Sequence, residues 1–472
     1  MPVLLLSACA TNPVTGDRDF VTLSEAEEIS QGRQLHPSVI EQYGVYDDPN
    51  LQSYVNAIGQ QLAANSHRAH LKFNFTILDS PDINAFALPG GYIYITRGIM
   101  AYLSNEAELA GVLGHEIGHV TARHSVRQQS GQFASGLLNV IIAATTGNQS
   151  LGNLSNQLGT GIIRGYGRKH ELEADRLGAQ YLHKSAYNPE IMLDVIAVLK
   201  DQELYEKALA KKQNRPAKIY HGVYSTHPKN DERLQTVIRA AKNLSPVQYR
   251  DENQTTYFDL IDGMTWGQSA DQGVLLKNRF MHANLGFAIQ FPSRWQITNN
   301  PNSLFARDPD SGALTQLNLK TLQKGENSIA LLKRLTNNNK LSVRQTDYGA
   351  TAPAQVQKDG KTQPARISAI KLDNQQVLFI VGTSAKEEFA AIDLELLAIN
   401  DSFTRLSDQQ IKNIKTPILK IVDVKAGEKF VSLASRSAIN QDAESILRLL
   451  NRAYPDGAIT ASRKLKVIAF DK

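Results

Sequence analysis

Residues 115–119 read His115-Glu116-Ile117-Gly118-His119, an HExxH pattern. Positions i and i+4 of a helix lie one turn apart on the same side. His115 and His119 can therefore present two imidazole nitrogens to one metal ion. Glu116 lies about 100° round the helix and does not share the ligand direction. It can still reach a water on that metal and take its proton. The flanks support a helix. Asn105 can cap it, Glu108 stands three residues on, and Leu109, Val112, Leu113, Ile117 and Val120 form one apolar stripe. The alternative is a helix that merely carries two solvated histidines.

A catalytic zinc keeps three protein ligands and one open position. The chain has one cysteine, Cys9, so the third ligand must be histidine or a carboxylate. The spaced histidine that extends the motif in metzincins is absent after His119. The better candidates lie on Arg168-Lys169-His170-Glu171-Leu172-Glu173-Ala174-Asp175. Glu171 and Asp175 are one helical turn apart, whereas Glu173 points about 200° from Glu171. Glu171 is the expected third ligand of one zinc ion. Asp175 falls beside it, where it can accept a hydrogen bond from a ligating imidazole and fix its tautomer. An exposed acidic face with ordinary i,i+4 pairing is the competing reading.

The elements that must position these residues are legible in outline. Residues 25–65 read as two helices, the first opened by a Ser24/Glu27 capping box. Residues 72–78 alternate as a strand, and 84–95 read as two strands broken by Pro89-Gly90-Gly91. One long helix is expected from Asn105 to about Arg127, and another from Arg168 to about Leu182. Between them, 131–167 is glycine-rich with an apolar run at 137–144, a cover over the cleft, a membrane-surface segment or a buried helical hairpin. Past residue 250 long helical patterns thin out and alternating strands appear, as in 285–297 and 377–382.

The expected fold is α+β: a mainly helical peptidase domain with a small edge-strand sheet, then a β-rich α+β domain, then a small βααβ module. The expected boundaries are 1–24 for a tether, 25–265, 275–405 and 415–472. No function-bearing motif is apparent in 275–405.

Composition limits the alternatives. The chain has 472 residues, 42% hydrophobic and 21% charged, as in a globular protein. No stretch of about 18 apolar residues is present to span a bilayer as a helix. The net charge of +5 comes without a basic, aromatic-laced stripe, so nucleic acid is not an expected partner.

HExxH followed about fifty residues later by ExxxD (Glu171 to Asp175) resembles the HtpX / CAAX-prenyl endopeptidase / BepA-like gluzincin family of zinc metallopeptidases. The resemblance covers roughly 25–260. It includes Asn84-Ala85-Phe86-Ala87 with Pro89-Gly90-Gly91, which in the family leads into the strand at the cleft edge. It also includes Ser225-Thr226-His227-Pro228 with Arg233-Leu234. The resemblance implies that His227 sits near the zinc, where it can occupy the open position and hold the enzyme inactive. It implies that Arg233 helps hold the tetrahedral intermediate. Glu116 would be the general base, and substrate would add as a strand beside Asn84–Ala87.

Leu6-Ser7-Ala8-Cys9 is similar to the lipobox of bacterial lipoproteins. That implies lipidation at Cys9 and a membrane anchor. Ala10 in place of aspartate favours the outer membrane, facing the periplasm. The tail at 415–472 is similar to a degenerate LysM-like module, with peptidoglycan as a candidate partner and plain docking as the other reading. The leading function is thus a zinc endopeptidase that cleaves unfolded or misassembled envelope proteins. The competing class is an envelope assembly factor, chaperone or peptidoglycan-associated binding protein with a latent metal site.

Overall fold

The structure is a computed structural model. It describes residues 9–470 except 17, 22, 131–166, 214–216, 218–229, 243, 246, 270–271, 301–302, 359–360, 374, 385–388, 426, 440 and 461–463. The contacts divide the chain into two units. One holds the residues up to Gly267 together with Pro417–Phe470, and the other is Gln268–Thr416. Among the described residues no helix is long and apolar enough to cross a membrane.

The first unit opens with a short antiparallel pair, β1 (Cys9–Thr11) and β2 (Arg18–Phe20). Helix α1 (Glu25–Tyr43) follows. Ser24 accepts from the Glu27 backbone N–H, and the Glu27 carboxylate accepts from the Ser24 N–H at 2.8 Å, the expected capping box. Helix α2 (Pro49–Ala64) buries Leu51, Val55, Ile58 and Leu62. Strands β3 (Asn74–Leu78), β4 (Ala85–Leu88) and β5 (Tyr92–Thr96) form a sheet in the order β3-β5-β4. β3 is parallel to β5 and β4 antiparallel, so β4 lies at an edge. The turn between β4 and β5 needs glycine. Gly90 and Gly91 have φ of 78° and 94°, and a Cβ on Gly90 would lie 2.6 Å from the Ile29 Cα of α1.

Helix α3 (Arg97–Tyr102) leads into α4 (Glu106–Thr121), capped by Asn105, which accepts from the Glu108 N–H at 2.8 Å. The expectation of one helix to about Arg127 is corrected here. The helix stops after Thr121, and residues 124–130 form a separate helical stretch. Arg123 sits between them at φ 55°, in the left-handed region. Its side chain explains why. It donates to Glu28 at 2.9 Å and to the Leu23 carbonyl at 2.7 Å, and so pulls the backbone out of the helix path.

Helices α5 (Arg168–Lys184), α6 (Ile191–Lys212), α7 (Asn230–Lys242) and α8 (Gln254–Ile261) complete the main part of this unit. The C-terminal segment adds strands Pro417–Asp423 and Lys464–Phe470, paired antiparallel, with helices Phe430–Ala434 and Ala443–Leu450 between them. The βααβ order matches the expectation. The segment does not stand apart, however: Leu419, Leu447, Leu450 and Ile468 share one core with α2, α4 and the sheet. The buried Lys466 donates to the Ala101 and Leu103 carbonyls at 2.9 and 2.7 Å, and Arg452 pairs with Glu108 in the first turn of α4.

The second unit holds a seven-stranded antiparallel sheet. Its spatial order is Arg344–Thr346, Gly349–Lys358, Lys361–Lys371, Gln376–Ser384, Ala313–Thr321, Ser303–Arg307 and Gln296–Asn300. A smaller sheet carries Val274–Leu276, Arg279–His282, Phe287–Gln290 and Thr404–Arg405. The architecture is mixed α+β, with a mainly helical part and a β-rich part.

Two arginines meet one buried carboxylate in the first unit. Arg68 is fully buried and reaches Glu28 at 2.8 Å, while Glu28 also receives Arg123 at 2.9 Å. Arg68→Ala would leave the buried Glu28 without its strongest partner. A loss of about 3–5 kcal/mol in unfolding free energy is expected for breaking such a pair, measured by urea titration.

Candidate metal centre

Helices α4 and α5 carry the donors, and small residues let them approach. A Cβ on Gly118 would lie 2.9 Å from the Ala174 carbonyl oxygen, and one on Gly178 would lie 3.1 Å from the His115 N. Any larger side chain there would push the helices apart. At this spacing, one ligand atom each from His115, His119 and Glu171 lies within 4.8 Å of the others. The two Nε2 atoms are 3.0 Å apart. Glu171 presents Oε2 to His115 Nε2 and Oε1 to His119 Nε2, each at 3.5 Å. A tetrahedral zinc with bonds of ~2.0–2.1 Å has ligand-to-ligand edges of roughly 3.3–3.4 Å. Two imidazoles and a carboxylate converging at these separations fit one such ion. All three side chains are buried.

Charge reinforces the fit. Burial and Arg233 push the His115 imidazole down, yet its bonds to Asp175 and Glu171 raise it to about 9. The carboxylates of Glu171 and Asp175 thus stand within reach of the His115 ring. Asp175 Oδ1 lies 2.9 Å from His115 Nδ1. Arg233 from α7 grips that carboxylate with two bonds, Nε to Oδ2 at 2.8 Å and Nη2 to Oδ1 at 2.7 Å. Burial alone would raise the Asp175 carboxyl, but the Arg233 charge and the bonds from His115 and Arg233 hold it well below the carboxylate range. Arg233 Nη1 is 3.7 Å from Glu171 Oε2 and has no hydrogen-bond partner among the described residues.

Glu116 lines a cleft with His115, Arg233 and Ala85. Met192, Val195, Ile196 and Leu199 from α6 add apolar lining to the same cleft. Ala85 and Ala87 belong to the core that includes α4, whereas Phe86 and Leu88 face the cluster around α1. The Thr96 N–H donates to the Asn84 carbonyl, which sets the pairing parity between β4 and β5. By that parity the backbone groups of Ala85 and Ala87 point away from β5, to the edge with which no strand among the described residues pairs. Asn84 itself is buried at the start of this strand.

The structure thus brings together His115, Glu116, His119, Glu171, Asp175, Arg233 and Ala85. His227 lies outside the described residues, as does 131–166. Cys9 opens β1 in the same unit. Two residues were missed as parts of the site. His124 Nδ1 lies 2.8 Å from His119 Nδ1, and Glu173 Oε2 lies 3.1 Å from His124 Nε2. Glu173 is not among the three donors, in line with its direction on α5. Hydrogen bonds from His124 and Arg127 outweigh burial and bring its carboxyl to about 2. Five residues after His119, an unbroken helix would aim His124 about 140° away. The break at Arg123 removes that separation.

A buried HExxH helix with a carboxylate from a second helix defines a metallopeptidase centre. Residues 49–241 match Peptidase family M48, whose metal is zinc. The chain is a metalloprotease. It is 29% identical over 380 residues to the beta-barrel assembly-enhancing protease of Yersinia pestis, covering 73% of this chain and 72% of that one. The protein of the same name from Escherichia coli (strain K12) is 32% identical over 252 residues, 50% of this chain and 48% of the relative. The mitochondrial metalloendopeptidase OMA1 of Schizosaccharomyces pombe is 26% identical over 229 residues, 48% and 64% of the two chains. The chain thus spans about half the length of the Escherichia coli relative.

Zinc added to chelated protein should raise its unfolding temperature. A ligand that binds only the folded chain stabilises it by about 2.7 kcal/mol at a hundred times its Kd. Glu171→Ala should lose most of that rise in scanning calorimetry.

Proposed function

We propose that the chain is an endopeptidase that cleaves unfolded or misassembled envelope polypeptides. The observation that carries this reading is Glu116, which lines one cleft with a metal donor, a buried arginine and a sheet-edge residue. A protein that only binds has no use for a base at that position. Zinc held by His115, His119 and Glu171 would supply Lewis acidity to the attacking water and the scissile carbonyl.

The chain's own residues supply the rest. The free edge of β4, through the backbone of Ala85 and Ala87, binds an extended substrate segment as an added strand. That mode reads backbone and favours unfolded chains over folded ones. The apolar wall from α6 accepts an apolar substrate side chain beside the scissile bond. Glu116 takes the proton from the attacking water and returns it to the leaving amine. Asp175 fixes the tautomer of His115. Arg233, already held by Asp175, turns Nη1 toward the oxyanion as charge develops. His227, on the family resemblance, closes the open metal position at rest.

The envelope assignment draws on the relatives named for β-barrel assembly and on the lipobox-like Leu6–Cys9. On this reading Cys9 carries the lipid that tethers the enzyme in the periplasm, at the outer membrane. The LysM-like segment serves as a docking element of the peptidase. Arg452, paired with Glu108 of α4, and Lys466, which donates to carbonyls at the end of α3, support that choice.

The purified full chain should carry about one zinc and cleave casein or an unfolded β-barrel protein. Glu116→Gln should keep the zinc and lose about 10²–10⁴-fold in rate, the usual worth of a general base. A zinc-loaded wild type that stays inert, even with His227→Ala, would move the assignment to a binding or assembly factor.

A further inference from the structure

The two imidazole donors are backed differently. Behind His115 stands a carboxylate, Asp175, gripped by Arg233. Behind His119 stands another imidazole. His119 Nδ1 meets His124 Nδ1 at 2.8 Å, and His124 Nε2 meets Glu173 Oε2 at 3.1 Å. Arg127 Nη1 donates to the same Glu173 oxygen at 2.9 Å. Each arm therefore ends in a carboxylate of α5 clamped by an arginine, but the His119 arm contains one more link. His124 is fully buried. The ring of His170 stacks on it, with centroids 4.3 Å apart and planes 20° apart, which restricts its rotation.

We propose that His124 and Glu173 are positioning residues for His119 and set how tightly this chain holds zinc. The inference rests on the reading of His119 as a ligand. A neutral imidazole has one donor and one acceptor nitrogen. With Nε2 turned to the metal, His119 must carry its proton on Nδ1 and donate it to His124 Nδ1. His124 must then carry its own proton on Nε2 and donate it to Glu173. This is the one assignment in which every contact along the arm is a hydrogen bond. It holds the His119 ring in place and makes Nε2 a better donor.

The backbone is shaped for this contact. Arg123 adopts φ 55°, a conformation that costs a non-glycine residue free energy. The turn it makes carries His124 back onto His119. Glu28 and the Leu23 carbonyl hold Arg123 there.

The test is zinc affinity of the full chain, measured by competition with a chelating dye. His124→Leu keeps much of the volume and removes both hydrogen bonds. It should weaken zinc binding by about 10–100-fold, the usual effect of losing a residue that supports a ligand. His124→Gln can accept from His119 through its amide oxygen and donate to Glu173 through its amide nitrogen, so it should recover most of the affinity. Glu173→Gln, a change at the more exposed end of the arm, should weaken binding less than His124→Leu and add little to it in the double variant. Affinity in His124→Leu within about twofold of wild type would overturn the proposal, as would equal losses in the Leu and Gln variants. If His124→Leu does not fold, wild-type affinity in Glu173→Gln would overturn it. His119→Ala tests the underlying reading separately: undiminished zinc binding there would mean that His119 is not a ligand.

Discussion

The geometry of the centre depends on how closely α4 and α5 approach. Three donors on two helices can reach a common point only if their backbones nearly touch. Gly118, inside the HExxH pattern, faces the Ala174 carbonyl, and Gly178 faces the His115 N–H, so no side chain separates them. A pair of helices spaced by ordinary side chains sits 8–10 Å apart between axes. From there a glutamate on one helix would overreach or miss the imidazoles of the other. The glycines therefore shape the candidate metal site as much as its three donors do.

A second constraint follows from burial. The approach of the two helices removes Glu116, Glu171 and Asp175 from water, and an isolated buried carboxylate is costly. Arginines offset several of the buried carboxylates nearby. Arg233 serves Asp175 and stands near Glu171, Arg127 serves Glu173, and Arg68 with Arg123 serves Glu28 below the end of α4. At the other end of α4, Glu108 meets Arg452 of the C-terminal segment. The zinc helix is thus anchored by ion pairs at both ends, and one anchor comes from more than 340 residues away in sequence. That explains why the βααβ segment shares a core with the peptidase.

Much of this was legible in the residues. The HExxH spacing, the Glu171/Asp175 spacing and the Asn105 cap are local patterns governed by the period of a helix, and the structure places those side chains as the pattern requires. The Pro89-Gly90-Gly91 turn was likewise readable, because a positive φ has few other solutions. The break at Arg123 was not. Nothing local distinguishes 119–127 from a continuing helix, and the cause of the break is Glu28, almost a hundred residues earlier. The docking of the C-terminal segment was hidden for the same reason. Lys466 sits in what reads as an ordinary strand, and only the carbonyls of Ala101 and Leu103 at the end of α3 account for its burial.

The carboxylates of α5 show how one helix can serve two imidazoles that lie on another. Positions 171, 173 and 175 alternate, and a helix cannot aim i and i+2 at one point. Glu171 and Asp175 share a face and reach the metal position and His115. Glu173 faces elsewhere, so it cannot support His119 directly. The gap is bridged from the opposite side, by a histidine that the Arg123 turn delivers to His119. On an unbroken α4, His124 would point about 140° away from His119 and could not back its Nδ1. The strained residue and the off-face glutamate, each unremarkable alone, make sense together as the two halves of a support that a straight helix could not provide.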